Sequence, residues 1–156
     1  MSFKIDLAGV SSQVLNQVNA ELPARAAAAS QSLRNASLEV LRGQRSGKKY
    51  IVPGSGRVKY NKKKHTATIS YKRYTASAPG EPPAVRTGTL RRSWRPVQFG
   101  ANHQNPAIET NVPYTDYMEH GTPGGMIAPR PFAEKIVEKA KPEVEAIYAQ
   151  PFDINL

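Results

Sequence analysis

Cysteine is absent from the 156 residues, so neither a disulfide nor a thiolate metal site can hold this fold. No window approaches 18 consecutive apolar residues, and no membrane-spanning helix is expected. The opening MSFKIDLAGV lacks a basic region followed by a long apolar run. No secretory signal is therefore expected, and the chain should stay in the cytoplasm where it is made. Tryptophan occurs once, at Trp94. What remains is a modest core: 39% hydrophobic residues, with 13 prolines and 11 glycines that imply long irregular stretches. The length suits one domain over 1–156, able to bury roughly 68–70% of the surface its unfolded chain exposes.

Acidic residues are missing from the middle of the chain. Between Arg42 and Arg95 there are fifteen Lys/Arg and a single acid, Glu81, a net +14. The remainder carries seven basic and eleven acidic residues, a net −4. A field so localised attracts nucleic acid or an acidic protein surface; the bland alternative is a solvated basic loop.

Periodicity places the elements. Asp6 is a candidate N-cap for a helix over 7–42, in which Val10, Val14, Val18 and Leu22 share one face. Pro23 should kink or break it. Beyond it Ala26, Ala29, Leu33, Ala36 and Val40 form a narrow stripe of small residues, with Gly43 as the stop. A basic loop or hairpin excursion fills about 44–75, with strands expected at Tyr50–Val52 and His65–Lys72. Ser77–Val85 is too rich in proline for either periodic structure, and Thr87 is a candidate N-cap for a short helix from Gly88 to Trp94. Further strands are expected near Arg95–Phe99 and Ala107–Val112, then a helical turn over Tyr114–His120 and an edge strand at Met126–Ile127. The last helix should begin at Pro131 and bend at Pro142. The order implies an α+β fold: a long kinked N-terminal helix, a small antiparallel β-sheet with a short inserted helix, and a C-terminal helix packed on the sheet.

Catalytic patterns are near misses, and no enzyme is expected. GQRSGKK at 43–49 has three residues between its glycines where a phosphate-binding loop needs four, and Lys49 stands where that motif has its hydroxyl. Gly-x-Ser-x-Gly does not occur. Asp116 and His120 are one helical turn apart, yet the pattern is D-x-x-E-H rather than H-x-x-E-H, and further ligands are needed. Tyr114, Tyr117 and Met118 are expected to pack inward, with Asp116 and Glu119 facing water. His65 and His103 suggest no partner. Neither a metal nor a cofactor is implied. The run Lys62-Lys63-Lys64, with Tyr50, Tyr60, Tyr71 and Tyr74 nearby, has the ingredients for phosphate contact plus base stacking, without a motif for base readout.

Two segments are more specific, SAPGEPPAVRTGTLRRSW (77–94) and VPYTDYMEHGTPGGMIAPRPF (112–132). Their order and spacing resemble the head–tail joining proteins of tailed bacteriophages, also labelled neck, tail-completion or minor tail components. The matching pieces are Ser77 to Pro83, Thr87 to Ser93, Tyr114 to Thr122 and Ala128 to Phe132, within a resemblance that covers about 6–148. Pro129 before Arg130 and the basic excursion depart from the pattern.

The resemblance implies a virion structural protein of the neck, a connector or tail terminator without catalytic residues. It implies a homo-oligomeric ring, six-fold in preference to twelve-fold, around the channel through which DNA leaves. Its partners would be other connector rings and tail tube or terminator proteins, with no membrane involved. Pro79, Glu81, Pro82, Pro83, Arg86, Arg91, Arg92 and Arg130 are candidate interface residues. Arg57, Lys59, Lys62, Lys63 and Lys64 are candidates to face the lumen or DNA. Thr87, Gly88, Leu90, Trp94, Tyr114, Tyr117, Gly121 and Phe132 are candidate structural anchors. Leu90 and Trp94 are expected as i,i+4 partners. The competing reading is a small basic protein that binds nucleic acid without sequence preference.

Overall fold

The computed structural model describes residues 7–153, with side chains from residue 11 onward. Its elements in order are α1 (Leu7–Val40), β1 (Lys49–Ile51), β2 (Arg57–Asn61), β3 (Thr66–Ser70) and β4 (Arg73–Thr75). There follow α2 (Thr89–Arg92), β5 (Arg95–Phe99), β6 (Asn105–Glu109), α3 (Thr115–His120) and α4 (Ala133–Tyr148). The fold is α+β, with a long N-terminal helix, small antiparallel sheets and a C-terminal helix packed against sheet residues. The sheets are three two-stranded ladders: β1 with β4, β2 with β3, and β5 with β6. The expected cap Asp6 lies outside the described residues.

Two compact units make up the chain. The first comprises residues up to Ala36, Trp94–Thr110 and residues from Ile136; the second comprises Ser37–Ser93 and Asn111–Lys135.

In the first unit, the small-residue stripe of α1 is the packing surface. Ala26 and Ala29 are fully buried, and Ala36 nearly so. Serines share the stripe: Ser30 is fully buried and its hydroxyl lies 2.8 Å from the Ala26 carbonyl and 2.7 Å from that of Val97. The same oxygen accepts the Ala107 N–H at 3.2 Å, so one hydroxyl ties the helix to the paired residues Val97 and Ala107. A larger side chain would hold the hairpin off; alanine would remove the hydroxyl that this part-buried N–H donates to. The expected break at Pro23 is absent, since α1 runs through it without interruption. The lost donor is one bond in a 34-residue, alanine-rich helix, and just beyond the proline Arg25 and Ala26 are buried.

Arg25 is the other fixed point of this unit. It is 8% exposed, and its guanidinium donates to the carbonyls of Tyr148, Gln150 and Pro151 at the end of α4. It also pairs with Glu21 at 3.0 Å and lies 3.8 Å over the Phe152 ring. Tyr148 donates its hydroxyl to the Gln104 carbonyl, joining α4 to the β5–β6 turn.

In the second unit, β1 and β4 are held by a cross-strand stack of Tyr50 on Tyr74, centroids 5.8 Å apart. Neither β2 nor β4 is expected from the sequence, where β2 is hidden in the basic excursion. The edge strand expected at Met126–Ile127 does not form. Thr122 closes a turn instead, accepting the Gly125 N–H on its carbonyl and the Ile127 N–H on its hydroxyl. Gly124 and Gly125, both at positive φ, permit that turn.

Candidate assembly and polyanion surfaces

The two motif blocks fold into one hydrogen-bonded body within the second unit. Ala78-Pro79-Gly80-Glu81 is a turn closed by the Glu81 N–H on the Ala78 carbonyl, 3.1 Å, with Gly80 at φ +79°. Proline followed by a positive-φ glycine is what a type II turn demands. The Gly80 N–H donates to the Pro129 carbonyl, and Arg130 donates to the Ser77 carbonyl at 3.3 Å. Lys135 reaches the Gly80 carbonyl at 3.2 Å. The proline loop is thus stiff and fastened down: Ser77 and Pro83 are buried, while Pro79 and Gly80 stay exposed at its tip and Pro82 is half-buried.

Glu81 is the centre of this fastening. Its carboxylate accepts the Ser46 hydroxyl at 2.6 Å, the Ser46 N–H at 3.0 Å and the Ala78 N–H at 2.9 Å. Those bonds, the Ser46 hydroxyl foremost, hold its pKa down at about 2. A carboxylate whose pKa falls on folding stabilises the fold fully above its ordinary value near 4.5, and the contribution fades as pH falls toward 2. Amide exchange at Ser46 and Ala78 should therefore be slower in the wild type than in Glu81→Gln at about pH 6, with the difference shrinking between about pH 4.5 and 2. Equal protection in both proteins at every pH would contradict this role.

The arginines divide. Arg91 donates to the Leu38 carbonyl at 3.0 Å and Arg92 to that of Thr87 at 3.2 Å, whereas Arg86 is exposed. Arg45 holds the Pro83 and Val40 carbonyls. Thr87 is not the N-cap: Gly88, at φ +79°, takes that position, and the Thr87 hydroxyl accepts the Thr89 N–H from one residue further out. Leu90 is buried, but α2 stops at Arg92, so Trp94 is not its partner on the same helix. The Trp94 carbonyl accepts from Arg34 in the first unit.

In the second block, the inward packing expected of Tyr114 and Tyr117 is not found; they are 40% and 49% exposed. Met118 is half-buried. Glu119, expected to face water, instead caps α4, accepting the Phe132 N–H at 2.8 Å and the Ala133 N–H at 3.3 Å. This is why α4 begins at Ala133 rather than Pro131. Phe132 is buried at 2% exposure. Gly121 ends α3 at φ +83°, and a Cβ there would lie 2.8 Å from the Ile127 carbonyl oxygen. Asp116 and His120 pair at 3.0 Å on the exposed surface. The two blocks face each other across an apolar cleft of about 440 Å³, lined by Pro83, Leu90 and Arg91 on one side and Tyr114 and Met118 on the other.

The basic residues lie on the β2–β3 hairpin, all ten strand residues of which are exposed. Register decides its faces. Val58 pairs with Ile69 and Tyr60 with Ala67, so these four share one face. A Cβ at Gly56 would meet both Ile69 and Tyr71, which places Tyr71 there too. The other face carries Arg57, Lys59, Asn61, Thr66, Thr68 and Ser70. At the tip Asn61 accepts the N–H groups of Lys63 and Lys64, and His65 takes φ +48°, a turn that displays Lys62, Lys63 and Lys64 to solvent. Of the tyrosines expected near the lysines, Tyr50 and Tyr74 stack on each other, while Tyr60 and Tyr71 lie on the face opposite Arg57 and Lys59, with the Tyr60 hydroxyl 3.4 Å from His65 in the tip.

No family model, curated protein or solved structure matches the chain.

Proposed function

We propose that this chain is a structural protein of the tailed-phage neck, closing into a ring that joins the capsid portal or connector to the tail around the DNA channel. The observation that carries the reading is the state of the two motif blocks. They interlock through Gly80, Pro129, Arg130 and Ser77, yet leave Val85, Tyr114, Tyr117 and Met126 (89% exposed) in solvent. Large apolar side chains held out on a stiff frame, with Arg86 beside them, have the composition of an interface core before its partner arrives. A head-to-tail contact repeated by rotation closes a ring, with six-fold order preferred to twelve-fold. Partners would be adjoining connector rings and tail tube or terminator proteins. The test is whether purified protein, alone or with such neighbours, closes into rings seen by electron microscopy.

The exposed basic hairpin favours a second reading, a free nucleic-acid-binding protein with no place in a particle. Filter binding across salt separates them: sub-micromolar binding by a monomer at physiological salt favours the second.

A further inference from the structure

We propose that the β2–β3 hairpin is a ribbon that contacts duplex DNA through the phosphates with its polar face and tip, while its apolar face takes no part. The inference stands apart from the neck reading, because it concerns the free chain and can hold or fail whichever way ring formation turns out.

The polar face consists almost entirely of hydrogen-bond donors. Arg57 and Lys59 stand about 6.6–6.8 Å apart on one strand, two residues of extended chain. Thr66, Thr68 and Ser70 add hydroxyls from the other strand, those of Thr68 and Ser70 held only by long bonds of 3.4 and 3.5 Å to the Lys59 and Arg57 carbonyls. No Asp or Glu occurs between Glu39 and Glu81, so nothing on the hairpin neutralises these cations or repels a phosphate. Serine, threonine, lysine and arginine are the side chains that hold DNA backbones, and a two-stranded ribbon has the width that a major groove admits.

The register argues against the two rival ligands. A single strand would need bases stacked on aromatics beside the cations, but Tyr60 and Tyr71 point away from Arg57 and Lys59. An acidic protein would need an apolar patch at the centre of its contact, and the polar face has none.

The test is fluorescence anisotropy of the full chain with a labelled 20-base-pair duplex of arbitrary sequence, from 50 to 200 mM salt. Binding is expected to be micromolar or weaker near physiological salt. If all five cations engage, log K falls against log salt with a slope of about −4.5, so affinity drops about 500-fold over that range. Neutralising the tip as Lys62→Gln/Lys63→Gln/Lys64→Gln should flatten the slope by about 2.7 and cost at least about tenfold at 100 mM salt. Tyr60→Ala and Ile69→Thr, on the other face, should bind as the wild type does. The substituted residues are solvent-exposed, so each variant is expected to keep the wild-type circular dichroism spectrum, which is recorded alongside. The inference is overturned by an unchanged slope in the triple variant, by loss of binding in Tyr60→Ala, or by tighter binding to a single strand of equal length. Equal competition by polyglutamate would overturn it in favour of an acidic protein partner.

Discussion

Phe132→Ala is expected to destabilise the protein by about 3–5 kcal/mol, the cost of emptying a buried aromatic site. Phe132 is 2% exposed, and its own N–H is fixed by Glu119, so the ring cannot be replaced by a shift of the helix start without losing that cap. Against a total stability of about 5–15 kcal/mol, such a loss leaves a large fraction unfolded on mild heating. Urea denaturation measures it, and Phe132→Leu should recover most of the difference. A change below about 1 kcal/mol for the alanine variant would mean that the site collapses freely and that Phe132 is no anchor.

Arg25→Ala should cost about 2–3 kcal/mol, since a charged donor serving several acceptors is lost at once. The three carbonyls it serves lie at and just beyond the end of α4, where a cation also complements the helix dipole. Arg25→Lys should restore only part, because an ammonium lacks the planar fork that spans these acceptors. Full recovery by lysine would reduce the role to charge alone. Thermal and urea unfolding of the pair of variants distinguish the cases.

Phe132 is legible as an anchor, but neither Arg25's role nor the Glu119 cap beside Phe132 is legible in the sequence, for one reason. Arg25 finds its carbonyl partners more than 120 residues away, and Glu119 caps a helix 13 residues on; no local pattern encodes such meetings. What is local reads well. The small-residue stripe of α1, the strand at Arg95–Phe99, the coil over the proline loop and the short helices all follow from periodicity, proline and glycine. Failures occur where an expected local rule meets tertiary structure. Pro23 does not end α1, because one lost bond weighs little in a helix this long whose next turn is anchored by buried Arg25 and Ala26. Alternation in HTATISYK was a valid strand signal but a poor guide to burial, since the hairpin exposes both faces. The same holds for Tyr114 and Tyr117, apolar in type and exposed in place. As for the site, the motif blocks are legible as segments, while the bonds that join them require the folded chain, and the separation of Tyr60 and Tyr71 from Arg57 and Lys59 requires the register.

The most direct measurement of the central claim is negative-stain electron microscopy of the purified chain, alone and mixed with the connector and tail-terminator proteins proposed as its neighbours, with the mass of the species measured in parallel. Closed rings with an integral number of copies, six in preference to twelve, surrounding an open channel are expected. Monomers under every one of these conditions would contradict the claim.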